Sequence, residues 1–129
     1  MKTELTTEES AKLIELGIDP KLASKGTHGQ SYEDYCLGNP VTPEDIKPIF
    51  TLTDILSILP KEIDNGYNLN IDITGKYYGA AYVCWDEDEN WDAVIKDICF
   101  EAIAPELIDA LNQLLIRVIT SGHLKIEKK

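Results

Sequence analysis

YNLNIDITGKYYGAAYVCW, residues 67–85, carries the side-chain pattern of two paired strands. Tyr67, Leu69, Ile71 and Ile73 alternate with Asn68, Asn70, Asp72 and Thr74, the period of two shown by a strand with one buried face. Gly75 marks a turn. Tyr77–Trp85 follows as a second strand, rich in aromatic and small residues, so the pair reads as a hairpin. On the second strand both faces are apolar. Tyr78, Ala80, Tyr82 and Cys84 fall on one, and Tyr77, Gly79, Ala81, Val83 and Trp85 on the other. Such a strand needs cover on both sides, or else it presents aromatic residues to solvent.

The chain beyond the hairpin carries the rest of the core. Asp86-Glu87-Asp88-Glu89-Asn90 is a solvated connection, because five polar side chains in a row cannot enter a core. Residues 91–102 fit two periods. Trp91, Val94, Ile95, Ile98 and Ala102 are spaced as on a helix, whereas Val94, Ile98, Phe100 and Ala102 alternate, interrupted at Lys96. A third antiparallel strand is the simpler reading, since a helix here would have to stop and restart at Pro105. From Pro105 to Gly122 the period is 3.6: Leu107, Ile108, Leu111, Leu114, Leu115, Val118 and Ile119 form a broad apolar stripe. Pro105 suits the first helical position, Asp109 the positive end of the helix dipole, and Gly122 a left-handed stop. The polar residues Asp109, Asn112, Gln113 and Arg117 then form the helix's outer side.

Upstream, FTLTDILSILPKEI (50–63) is a helix capped by Thr51 and Asp54 and closed by Pro60. Near the start, Thr6 and Glu9 have capping-box spacing, Gly17 ends that helix, and Asp19-Pro20 starts a second short one. Residues 26–49 are punctuated by Gly26, Gly29, Gly38, Pro40, Pro43 and Pro48 and read as an irregular loop. The fold expected is α+β: a three-stranded antiparallel meander packed against the 52–59 helix and a long C-terminal helix, with two short N-terminal helices. A single domain spans 1–129, made of a helical part (1–25), the loop (26–49) and a core (50–126).

Composition narrows the function classes. The 129 residues carry 12 basic and 23 acidic side chains, net −11. No basic stripe is available to displace counterions from a phosphate backbone, which argues against direct nucleic-acid binding. The charge suits a solvated surface or attraction to a basic protein partner. The segment MKTELTTEES lacks a signal-peptide pattern and no apolar run is long enough for a membrane, so a cytoplasmic location is expected. Cys36, Cys84 and Cys99, an odd number without CxxC spacing, read as reduced thiols.

Few residues stand out as carriers of chemistry. Asp86, Asp88, Asn90 and Asp92 place oxygens at alternate positions, with Asp97 at the twelfth, a spacing that can wrap calcium or magnesium. The calcium-loop pattern wants Gly at its sixth position and Glu at its twelfth, where this chain has Trp91 and Asp97. An acidic hairpin turn is the default and a cation site the alternative. His28 and His123 are the only histidines, and no catalytic residue or cofactor is assigned. Tyr77, Trp85 and Trp91 are the interaction candidates, since Tyr and Trp dominate binding hot spots.

The run FTLTDILSILPKEI, the hairpin and APELIDALNQLLIRVITSGHLK resemble short proteins encoded by gut Bacteroidales and their phages and mobile elements. These share a Leu-Leu-Pro-rich helix and a C-terminal Asp-Ala-Leu…Leu-Leu-Ile…Gly segment. The resemblance covers about residues 50–126 and rests on core positions, so it implies a bacterial or phage accessory protein and transfers no activity. The function expected is non-enzymatic: protein–protein interaction through an acidic, aromatic surface. A divalent-cation or small-molecule binding domain is the alternative, and an enzyme of unspecified class a further one.

Overall fold

The computed structural model describes residues 2–26, 47–64 and 66–122. They form an α+β protein with antiparallel sheets, divided into two compact units, the first ending at Ile58 and the second beginning at Leu59. Most of the irregular loop expected at 26–49, together with Cys36, His28 and His123, lies outside the described residues.

In the first unit, α1 (Thr7–Glu15) starts at the expected capping box: Glu9 N–H donates to Thr6 Oγ1 at 3.1 Å and Thr6 N–H to Glu9 Oε1 at 3.0 Å. The second helix expected after it is a single 3-10 turn, Pro20–Leu22. Asp19 caps it as predicted, but Ala23 leaves helical geometry at once. Strands β1 (Lys25–Gly26) and β2 (Pro48–Ile49) pair antiparallel, so both ends of the expected loop are strand. α2 (Leu52–Ile58) begins where predicted, with Thr51 N–H donating to Asp54 Oδ2 at 2.9 Å. The same oxygen accepts the Ser24 N–H and hydroxyl at 2.8 and 2.9 Å, which joins the helix cap to the segment before β1. Leu5, Leu13, Ile18, Phe50 and Ile55 are buried.

The second unit holds the hairpin. Its sheet has four strands rather than three, in the order β3 (Glu62–Ile63), β4 (Tyr67–Thr74), β5 (Tyr77–Glu87) and β6 (Ala93–Ala104), all antiparallel. β3 was hidden in what read as the tail of the 50–63 helix; after Pro60 the chain pairs Ile63 with Tyr67 instead. The ambiguous segment is a strand. It contains two bulges: Tyr82 faces Cys99 while Ala81 faces Glu101, and Trp85 faces Ile95 while Cys84 faces Asp97. Phe100 and Lys96 are the extra residues, and Phe100 takes a left-handed φ of 56° to fit.

Helix α3 (Leu107–Thr120) starts two residues later than Pro105, with Glu106 at the N-cap. Gly122 has the predicted left-handed φ, 82°. The helix packs against β5 and β6. Tyr82, Ala80, Ala102 and Ala104 are buried on the face it covers, and Ile108, Leu111, Leu114, Leu115 and Val118 are fully buried in the helix itself. Tyr82 is satisfied in this core by donating its hydroxyl to the Pro60 carbonyl at 2.7 Å. Two expectations fail here. Asn112 is buried rather than on an outer polar side. Ile71 and Ile73 share the helix-covered side yet are 41% and 67% exposed, because α3 lies over β5 and β6 and leaves this end of β4 bare.

Replacing Leu111 or Leu115 with Ala should cost roughly 2–5 kcal/mol, the transfer and cavity penalty of a fully buried leucine. Denaturant melts of the two variants check this, and an unchanged midpoint in both would contradict the packing described.

Candidate functional site

The sheet's second face is where the apolar excess of β5 ends up. The register stacks three rows across it: Asp72, Gly79 and Ile103; Asn70, Ala81 and Glu101; Asn68, Val83 and Ile98. β5 supplies a floor of small residues, β4 a polar wall and β6 an apolar wall. Together they line a groove of about 320 Å³ that also takes in Thr74, Tyr77 and Ile95. The wall side chains are open to solvent, with Ile103 58%, Ile98 47% and Ile95 45% exposed, whereas Ala81 and Val83 are buried at the floor. The bulge at Lys96 is what aligns Ile95 with Ile98. An extra residue turns a spacing of three, which would put them on opposite faces, into the same face.

The three interaction candidates all prove exposed. Tyr77 (52%) and Trp85 (44%) lie at opposite ends of β5 on this face, and Trp91 (81%) sits at the hairpin tip. At the tip, Trp91 N–H donates to the Asp88 carbonyl and Asp88 N–H to the Asp92 carbonyl, both at 3.0 Å. That closes a three-residue loop whose last residue must be left-handed. Trp91 takes this place with φ 65°. Glycine would fit there without strain, and a bulky aromatic in this conformation is an outlier that costs about 1–2 kcal/mol.

The acids of the same tip are partly committed to building it. Asp88 Oδ1 accepts the N–H groups of Asn90 (2.8 Å) and Asp92 (3.0 Å), and Asp86 Oδ1 accepts the Glu87 N–H at 2.8 Å. Asp97 is not with Asp86, Asp88, Asn90 and Asp92. It lies in β6, paired with Cys84. Among the described residues no group of three or more His, Cys, Asp or Glu is gathered closely enough to hold a metal ion.

A second cluster, unmarked by any motif, stands on the helix-side face, toward the same end of β5 and β6 as the tip. Tyr67, Cys84 and Asp97 form one cross-strand row, and Tyr67 donates to Asp97 Oδ2 at 2.6 Å. That bond pushes the Tyr67 phenol up to about 12 and holds Asp97 below the usual carboxylate range. Burial, aided by Asp64 and Asp97, raises the nearby Cys99 thiol. The two raised values stabilise unreactive forms, a neutral phenol at Tyr67 and a neutral thiol at Cys99, whereas a nucleophile needs the opposite. The cluster is a strand-to-strand clasp. Only the cross-strand register brings these residues together, so nothing in their sequence spacing could have shown it.

The clasp is read by absorbance titration of tyrosine. Tyr82 also titrates late, because burial disfavours its phenolate. Asp97→Asn should therefore move one of two late tyrosines back toward about 10. In the parent, the raised Tyr67 favours the folded state up to pH about 10 and loses that contribution as pH rises through about 12. The depressed Asp97 contributes above its ordinary pKa and loses its contribution as pH falls through the lowered one. An identical titration curve in the variant would refute the clasp.

Comparison with known proteins found no matching family model, no matching curated protein and no matching solved structure, so the reading of this chain rests on its own geometry.

Proposed function

We propose that this chain is a non-enzymatic accessory protein, of bacterial or phage type, that works by binding another protein through the open face of its sheet and the acidic hairpin tip. The observation that carries this reading is the placement of the apolar surplus: Ile95, Ile98, Ile103, Tyr77 and Trp85 are exposed together on one face. A contiguous apolar surface with aromatic ends and a polar border has the character of an interface core and rim.

Trp91 supports the same reading. A large aromatic held at a left-handed, exposed position adds nothing to a core, and strained residues of this kind concentrate where function keeps them. The tip around it is acidic, with Asp86, Glu87, Asp88, Glu89 and Asp92 close in sequence, which favours a basic partner and faster encounter with it. A divalent cation at Asp86, Asp88, Asn90 and Asp92 has less behind it, because Asp88 Oδ1 already takes two backbone N–H groups.

Stability and binding should separate at Trp91. Trp91→Gly relieves the backbone and is expected to stabilise the fold by about 1 kcal/mol at the melting midpoint, raising the melting temperature. The same change should weaken capture of the partner from bacterial lysate, as should Ile98→Asp. Captured proteins identical in identity and amount for the parent and both variants would count against this function.

A further inference from the structure

We propose that the open face receives an amphipathic helix of the partner, laid along β5, with Lys or Arg residues on the sides of its apolar stripe. This deepens the protein-binding reading above and rests on it. Three physical arguments select a helix over an extended segment.

The first is backbone hydrogen bonding. A segment lying on a sheet's face finds no ladder there, so its own N–H and C=O groups must be satisfied internally, which a helix does and a strand does not. The second is shape. β4 and β6 flank β5 at about 5 Å each, so the trough is about 10 Å across, the diameter of a helix with its side chains. From Tyr77 to Trp85 it runs about 27 Å, the length of a helix of about 18 residues. Gly79 and Ala81 keep the floor low enough for close approach.

The third concerns the edges, where an extended peptide would add instead. Leu69 N–H reaches outward to the Lys61 carbonyl, so alternation points the Ile73 N–H outward too, and Asp72 Oδ1 already accepts it at 2.8 Å. On β6 the outward Ile98 N–H is taken by Asp97 Oδ1 at 3.0 Å, and the Glu101 carbonyl by Arg117 Nη1 at 2.7 Å. Two bulges further interrupt that edge. Part of each edge is therefore already engaged or interrupted, which disfavours strand addition there. Charge selects the helix's composition: the groove lining includes two acids, Asp72 and Glu101, and no base. The basic side chains Lys76, in the β4–β5 turn, and Lys96, at the bulge, are not among its lining residues.

The test uses the full chain and three synthetic peptides of about 18 residues, followed by fluorescence anisotropy. One is a Leu/Lys amphipathic helix, one a Leu/Glu helix with the same apolar stripe, and one a Leu/Lys peptide alternating with the period of a strand. The Leu/Lys helix is expected to bind at least about tenfold more tightly than either of the others. Gly79→Val should weaken it by about tenfold or more by raising the trough floor. That variant should still fold, since a Cβ added at Gly79 meets nothing closer than the Asp72 carbonyl oxygen at 4.0 Å. Asp72→Asn with Glu101→Gln should weaken binding about threefold or more and flatten its dependence on salt. Equal binding by the alternating peptide or by the Leu/Glu helix would overturn the proposal, and so would Leu/Lys binding indifferent to Gly79→Val. If lysate capture still depends on Ile98 and Trp91 while the helix fails to bind, the helical mode falls and the protein-binding reading stands. Loss of both removes both.

Discussion

The second unit depends on a mismatch between one helix and a strand that is apolar on both sides. A helix can cover only one face of a sheet, and α3 covers the one carrying Ala80, Tyr82, Ala102 and Ala104. The small residues on that face let the helix come close, and Tyr82 supplies the bulk, its hydroxyl satisfied by Pro60. Everything apolar on the opposite side of β5 and β6 is then left to other means. Ala81 and Val83 are buried at the base of the groove, but the isoleucines of β6 are not. The exposed face is thus a consequence of the same sequence choice that makes the buried one.

The two bulges in β6 determine how that face is composed. Without the extra residue Lys96, Ile95 and Ile98 would point to opposite sides; with it they share the groove wall. Phe100 acts the same way between Cys99 and Ala102, keeping both on the helix side. Its left-handed φ shows that this alignment is imposed on a residue that does not favour it. Such features re-aim side chains, and here they collect isoleucines on the uncovered face.

The same bulges explain what the sequence could and could not reveal. β4 was legible because its alternation is unbroken for eight residues, and α3 because its apolar stripe is long and ends at Gly122. β6 looked half helical for a physical reason: a bulge converts same-face spacing from two to three, and three is also a helical neighbour distance. β3 is two residues long and exists only through its partner Tyr67–Asn68, so no local pattern announces it. Of the site, Tyr77, Trp85 and Trp91 were readable as surplus aromatics beside acids. The isoleucine wall was not, because membership of one face depends on register. Nor was the clasp of Tyr67 and Asp97, thirty residues apart.

An exposed apolar face ordinarily invites aggregation, through sheet edges above all. Here three of the outward edge groups are engaged by side chains of their own unit: Asp72 at Ile73, Asp97 at Ile98 and Arg117 at the Glu101 carbonyl. Asp72 and Glu101 also line the exposed groove, so two copies brought face to face would set like charges against each other. The protein therefore guards its edges while leaving its face open. Engaged edge groups and like charges on the open face both act against pairing between copies of this chain.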